Sequence, residues 1–137
     1  MNARLLTNKT EFKGDLQCLY RYVYSETENF DPHYHEFYEF FLILDGNAMH
    51  IVNDTKILLT KGSLVFVRPQ DRHDYVCVNS KPFSLLNISF TKSTAEQIFD
   101  FLGEGFPSRQ LNEAPLPPEI HLNEYEFERF NYRIASI

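Results

Sequence analysis

His33-Tyr34-His35-Glu36-Phe37-Tyr38-Glu39 runs directly into an apolar stretch, residues 40–44, that ends at Asp45-Gly46. Two histidines two positions apart, with a glutamate four residues after the second, supply imidazole nitrogen and carboxylate oxygen. Those are the usual ligands of a borderline divalent ion such as Zn²⁺, Mn²⁺, Fe²⁺ or Ni²⁺. A third histidine, His73, lies two strand-like segments further on, four residues after Pro69. The four residues read as a metal site, as the relic of one, or as ordinary strand and loop residues.

Distance constrains the first reading. In a straight strand, at a rise of ~3.3 Å per residue, His35 and Glu39 would stand roughly 13 Å apart, whereas ligands of one ion sit only ~2.0–2.2 Å from it. A shared ion therefore requires a bend within residues 35–38, with the ladder starting near Tyr38. Glu39, Phe41 and Ile43 would then face one way, and Tyr38, Phe40, Leu42 and Leu44 the other. Glu39 becomes the single charge in an apolar strand interior, and a buried carboxylate needs a cation, a donor or a proton.

On either side of this stretch the chain reads as short strands. From Leu16 the period is two, with Leu16, Cys18, Tyr20, Tyr22 and Tyr24 on one face and Gln17, Leu19, Arg21, Val23 and Ser25 on the other. Asp45-Gly46 reads as a hairpin dipeptide, and turns follow at Asn53-Asp54, Lys61-Gly62, Arg68-Pro69-Gln70-Asp71 and Asn79-Ser80-Lys81-Pro82. Between them lie strand candidates at 49–52, 56–60, 64–67, 75–78 and 83–90, a spacing that suggests an antiparallel sandwich or barrel. Segments 38–44 and 64–67 are apolar on both faces, so something must cover the outer face as well.

The C-terminal third supplies the cover. Ser93-Thr94-Ala95-Glu96 has capping-box spacing, and Ala95, Ile98, Phe99 and Leu102 form a helical stripe. Residues 104–118 read as a proline-bearing linker. Asn123 and Glu126 repeat the capping spacing, Leu122 and Phe127 are placed as a hydrophobic staple, and Phe127, Phe130, Ile134 and Ile137 make a second stripe. The division is a barrel over 1–92 and a helical segment over 93–137. The second stripe meets no stop signal at Ile137 and reads either as a frayed natural terminus or as cut from a longer chain. Residues 1–14 give no clear pattern.

The 137 residues are 43% hydrophobic, with 13 Phe, 8 Tyr and no Trp, which fits one packed domain. A net charge of −6 without a basic stripe argues against direct nucleic-acid contact by these residues. Cys18 and Cys77, far apart and in no CxxC pattern, read as buried thiols in a reducing compartment. The start lacks the apolar run of a signal peptide, and no stretch approaches the ~20 apolar residues of a membrane span. The expected location is cytoplasmic. His50 and His121 read as structural or exposed.

His33-x-His35-x₃-Glu39-x₆-Gly46 resembles the first conserved motif of the cupin superfamily. Gly62…Pro69-x₃-His73 resembles the second, in the shortened form found in the N-terminal sensor domains of AraC-type transcriptional regulators. The likeness covers about residues 16–90, and the helices after it resemble those regulators' helical pair, especially in the chitobiose-operon-regulator-like branch. Thr27 and Asp71 stand where the two motifs have glycine, and Cys77 where the second often has asparagine. These departures count against a cupin enzyme more than against a regulator.

The resemblance implies a mainly β fold, a cupin-type double-stranded β-helix (an antiparallel barrel) followed by two C-terminal α-helices. It also implies a small-molecule effector inside the barrel, a sugar or related metabolite, and a homodimer. DNA would be met by a helix-turn-helix domain absent from this chain. A divalent metal (Zn, Ni, Mn or Fe) would be held by His33, His35, Glu39 and His73. Tyr20, Tyr22 and Tyr24 suit stacking on a sugar face, with Tyr38 and Arg21 as polar partners. Parity lets either the tyrosines or Arg21 line the pocket, not both. Ile98, Phe99, Phe127, Phe130 and Ile134 would pack on the barrel or on a second subunit. The alternative is a stand-alone metal-dependent oxygenase or isomerase, for which the sequence places no separate acid or base near the metal.

Overall fold

The computed structural model describes residues 3–12, 16–26 and 30–136. In chain order these form β1 (Arg4–Leu6), α1 (Asn8–Glu11), β2 (Cys18–Tyr24), β3 (His33–His35), β4 (Tyr38–Asp45), β5 (Ala48–Val52) and β6 (Thr55–Leu59). Then come β7 (Ser63–Val67), β8 (His73–Cys77), β9 (Ser84–Phe90), α2 (Lys92–Leu102), α3 (Ser108–Glu113), β10 (Glu119–His121) and α4 (Glu124–Ala135). The strands make two five-stranded sheets, in the orders β1-β3-β8-β5-β6 and β10-β7-β4-β9-β2. All ladders are antiparallel except β1 with β3.

The core lies between the sheets. Val23, Phe41, Ile43, Val65, Val67 and Leu85 from one meet Ala48, Leu59 and Tyr75 from the other. The doubly apolar strands β4 and β7 are central in their sheet. Their outer face is covered where Phe66, Phe90 and Ala95 cluster with Tyr38, Phe40, Phe99 and Leu111. Each large side chain so buried contributes about 1.5–3 kcal/mol.

The opening motif divides as the distance argument requires. β3 lies in the first sheet and β4 in the second, with Glu36 and Phe37 as the bend between them. Asp45-Gly46, in contrast, is not a hairpin: β4 and β5 belong to different sheets, and the dipeptide carries the chain across. Gly46 has φ +75°, and a Cβ there would stand 2.4 Å from the Pro82 carbonyl oxygen. Gly46→Ala is expected to cost about 2–3 kcal/mol, read from the denaturation midpoint. Gly103→Ala is the control, because it shares φ +75° but has open space at the Cβ position.

Other expectations need correction. Three helices, not two, follow the barrel, because the supposed linker holds α3 and then β10, which pairs with β7. The first of the three is capped by Thr91, not Ser93: the Thr94 N–H donates to Thr91 Oγ1 at 3.3 Å, and that hydroxyl also donates to Gln17 at 2.8 Å. Asn123 and Glu126 do form the expected capping box. The featureless start adds β1 to the first sheet, and Phe12 packs edge-on against Phe37. Both cysteines are exposed rather than buried, because Cys18 is on edge strand β2 and Cys77 ends β8. Thr27 and Ile137 lie outside the described residues.

Asp71, unexplained as a motif departure, belongs to a buried ion pair with Arg68. The Arg68 Nε and Nη2 atoms donate to its two carboxylate oxygens at 2.7 and 3.0 Å. The guanidinium also donates to the carbonyls of Leu111 and Ala114, and Gln70 donates to that of Asn112 at 2.7 Å. The turn before β8 thereby clasps the C-terminal end of α3.

Candidate functional site

His33, His35, Glu39 and His73 converge, each offering one ligand atom, and the four atoms lie within 4.8 Å of one another. Topology explains this. His33 pairs with His73 between β3 and β8, and the bend at 36–37 returns Glu39 to the same point from the facing sheet. His35 Nε2 abuts the Glu39 carboxylate, and His73 Nε2 lies 3.8 Å from Glu39 Oε1.

The other ring nitrogens are anchored. His33 Nδ1 meets the Asp31 carbonyl at 2.9 Å and His35 Nδ1 the Phe37 carbonyl at 2.7 Å, so both donate there. His73 Nδ1 meets His50 Nε2 at 2.9 Å. Fixing Nδ1 on an outer partner is how metal-binding histidines present Nε2. Besides the contact with Glu39, His35 Nε2 has no hydrogen-bond partner, and the buried His73 Nε2 has none. A divalent ion fits this donor set: three imidazole nitrogens and a carboxylate oxygen, with orphaned atoms aimed at one point.

The electrostatics divide the cluster into a His35–Glu39 ion pair and two imidazoles, His50 and His73, that burial keeps uncharged. Burial opposes charge on His35, but the Glu39 carboxylate outweighs it and raises the imidazole pKa. Burial alone would raise Glu39, yet His35, His73 and His33 together hold it well below the usual carboxylate range. Burial pushes His50 down to about 4 and His73 well below the ordinary value. Burial therefore favours the neutral imidazole at His73, the form in which imidazole can bind a metal.

Two of the four residues, His33 and Glu39, open onto a cavity of about 330 Å³ between the sheets. They line it with Arg21, Asn87 and Ser89 from the second sheet, Phe30, Phe37 and Tyr75 as aromatic wall, and Arg4, Leu6 and Glu11 from the N-terminal segment. Parity on β2 resolves in favour of Arg21. Tyr20, Tyr22 and Tyr24 point outward and are 43%, 36% and 54% exposed, so they do not line the cavity. Tyr38 faces the helices, stacked on Phe66 with its hydroxyl donating to Asn112 at 3.1 Å. Among the packing residues, Phe99 contacts Tyr38 and Phe66, Ile98 is exposed, and Phe127, Phe130 and Ile134 are half-buried.

Several participants escaped the sequence reading. His50 has the inward parity of Ala48 and Val52 on β5. Asn87 and Ser89 share the inward parity of Leu85 on β9. Polar residues on a core parity were the available signal in both cases. The wall supplied by Arg4, Leu6 and Glu11 carries no sequence pattern.

Comparison with known proteins agrees with this geometry. HTH-type transcriptional activator RhaR of Klebsiella pneumoniae is 36% identical over 74 residues, covering 54% of this chain and 26% of RhaR. RhaR of an Enterobacter species is 34% identical over 80 residues, covering 58% and 28%. The chain spans about a quarter of the length of these curated relatives. ToxT of Vibrio cholerae, in a structure with bound unsaturated fatty acid, superposes with a TM-score of 0.63 at 14% identity, covering 87% of this chain and 46% of ToxT. A cupin protein from Bacteroides fragilis gives 0.52 at 17% identity, covering 58% and 70%. The barrel is thus of the cupin fold. The model of the AraC-like ligand binding domain matches residues 17–122, and the chain belongs to that family.

Proposed function

We propose that this chain is the effector-sensing and dimerisation domain of an AraC-type transcriptional regulator, acting in the cytoplasm. The observation that carries the reading is the cavity of about 330 Å³ inside the barrel of a chain from this family. A sugar or related metabolite suits its mixed wall, polar on one side and aromatic on the other. The fatty acid held by ToxT suits it less, because an alkyl chain would leave Asn87 and Ser89 without partners. A divalent ion held by His33, His35, Glu39 and His73 would act as a Lewis acid toward ligand oxygen. Ile98 and the half-buried stripe of α4 leave apolar surface for a second subunit, and a separate helix-turn-helix domain would contact DNA.

Effector binding would act by stabilising one pose of the helices over another. The cavity has a physical route to them, since His73 follows the turn in which Arg68 holds the carbonyls at the end of α3. The same His/Glu cluster is what a metal-dependent cupin enzyme would use, but the transcriptional activators among the relatives favour regulation.

A reporter controlled by the regulator carrying this domain, in cells given a panel of sugars and sugar-derived metabolites, tests the reading. Leu19→Trp fills the cavity from edge strand β2, where Leu19 is 38% exposed and a larger ring is tolerated. It is expected to abolish the response and leave DNA binding without effector intact. An unchanged response would contradict the proposal.

A further inference from the structure

A second cavity, of about 110 Å³, lies across the second sheet from the one that His33 and Glu39 border. Its floor is Phe40 of β4, Phe66 of β7 and Phe90 of β9, which turn outward from three adjacent strands. Helix α2, the loop after it and α3 close the other sides through Phe99, Phe106 and Leu111. Ile98 and Leu102, each 44% exposed, form the rim on α2.

No polar side chain lines this space: every residue around it is phenylalanine, leucine, isoleucine or alanine. A buried water needs ~2–4 polar partners, and no side chain here offers one. Protein interiors hold few voids larger than a water molecule, and an apolar void costs stability in proportion to its size. Water therefore fills this space poorly, and an apolar guest fills it well.

The lining also selects among apolar guests. Five of its nine residues are phenylalanine. The rings of Phe40 and Phe66 lie 4.9 Å apart at 30°, and Phe66 stands edge to face with Phe99 at 6.4 Å and 88°. Phe99 and Phe106 are stacked at 6.1 Å. A flat ring among them meets ring faces and ring edges, the arrangements that aromatic pairs favour. Size sets the upper limit. Drug-sized ligands occupy ~300–1,000 Å³, whereas an apolar cavity of ~150 Å³ holds benzene.

We propose that this cavity is a second ligand site, for a small molecule whose recognised part is one bare aromatic ring. Because α2 and α3 supply two of its walls, a bound ring stabilises the pose in which both helices sit over the sheet. The site goes beyond the effector reading and does not depend on it, since the two cavities lie on opposite faces of one sheet.

Titrations of the 137-residue chain with benzene, cyclohexane and 1,4-dihydroxybenzene, read by methyl NMR and thermal shift, test it. Benzene is expected to shift the methyls of Ala95, Ile98, Leu102 and Leu111 saturably and to raise the melting temperature, as a ligand of the folded state does. Cyclohexane should bind about 2- to 10-fold more weakly, lacking the ring quadrupole. The diol must bury one hydroxyl without a partner and should bind at least about tenfold more weakly than benzene. Leu102→Trp covers the mouth from the rim and should weaken benzene at least about tenfold, and Ile98→Trp does the same if the first variant fails to fold. Phe101→Trp, on the same helix but outside the lining and 89% exposed, should leave benzene binding unchanged. Unsaturable shifts spread over the surface, tighter binding of either other probe, or undiminished binding to a folded rim variant would overturn the proposal. So would lining methyls that respond to protein concentration instead of benzene, since the occupant would then be a second copy of the chain. None of these outcomes touches the effector reading, which the Leu19→Trp reporter tests separately.

Discussion

Asp71→Ala is expected to lower the unfolding free energy by about 3–5 kcal/mol, because it strands a fully buried guanidinium without its carboxylate. Arg68 and Asp71 are both wholly buried. The carboxylate also accepts from the Arg68 backbone N–H at 2.8 Å and from Asn53 Nδ2 at 2.9 Å, so one deletion opens the turn from three sides. The double variant Arg68→Met/Asp71→Leu should lose less than Asp71→Ala, since an apolar pair removes the uncompensated charge. Urea denaturation of the three proteins reads the difference. An Asp71→Ala loss within about 0.5 kcal/mol, the range of ordinary surface substitutions, would mean that the pair does not hold α3 to the barrel.

His73→Ala and His35→Ala are expected to strip a bound divalent ion, with an affinity loss greater than the ~10–100-fold expected for His50→Ala, which removes only the partner behind His73. Protein made without chelator or a nickel column should carry sub- to near-stoichiometric metal, and either ligand variant should carry almost none by elemental analysis. Equal metal content in wild type and His73→Ala would place any ion elsewhere. Acid should release the ion because a proton competes for His35 Nε2. The raised pKa of His35 sets that competition above the ordinary imidazole value of ~6.5. Affinity is therefore expected to be full at alkaline pH and to fall as pH drops through this raised value. His73 and His50, pushed down by burial, add no competing proton there.

The metal-type constellation was legible because chain geometry forced it. His35 and Glu39, too far apart on one straight strand to share an ion, implied a bend, and the bend appears at Glu36-Phe37 between strands of different sheets. Strand positions were legible from alternation and turn residues, since period two and Gly, Asn and Asp at turns are local properties. What alternation cannot state is which strand pairs with which. Asp45-Gly46 has the chemistry of a hairpin and serves instead as a crossing, because Gly46 is pressed against Pro82 from a distant turn. The tyrosines of β2 show the same limit: alternation defined two faces, and only the position of β2 at the sheet edge, with Val23 turned into the core, decides that Arg21 faces inward. Helix α3 was hidden by the prolines that flank it, Pro107 and Pro115, and is held in place by Arg68, a contact across 43 residues of sequence.

A divalent metal centre of His33, His35, Glu39 and His73, bordering the cavity through His33 and Glu39, is the proposal on which the chemistry of the site depends. X-ray absorption spectroscopy on untagged, chelator-free protein tests it most directly. The expected result is a metal edge with a first shell of three imidazole nitrogens and carboxylate oxygen at ~2.0–2.2 Å, abolished by His73→Ala. No metal edge above background, or a first shell containing sulfur, would contradict the account.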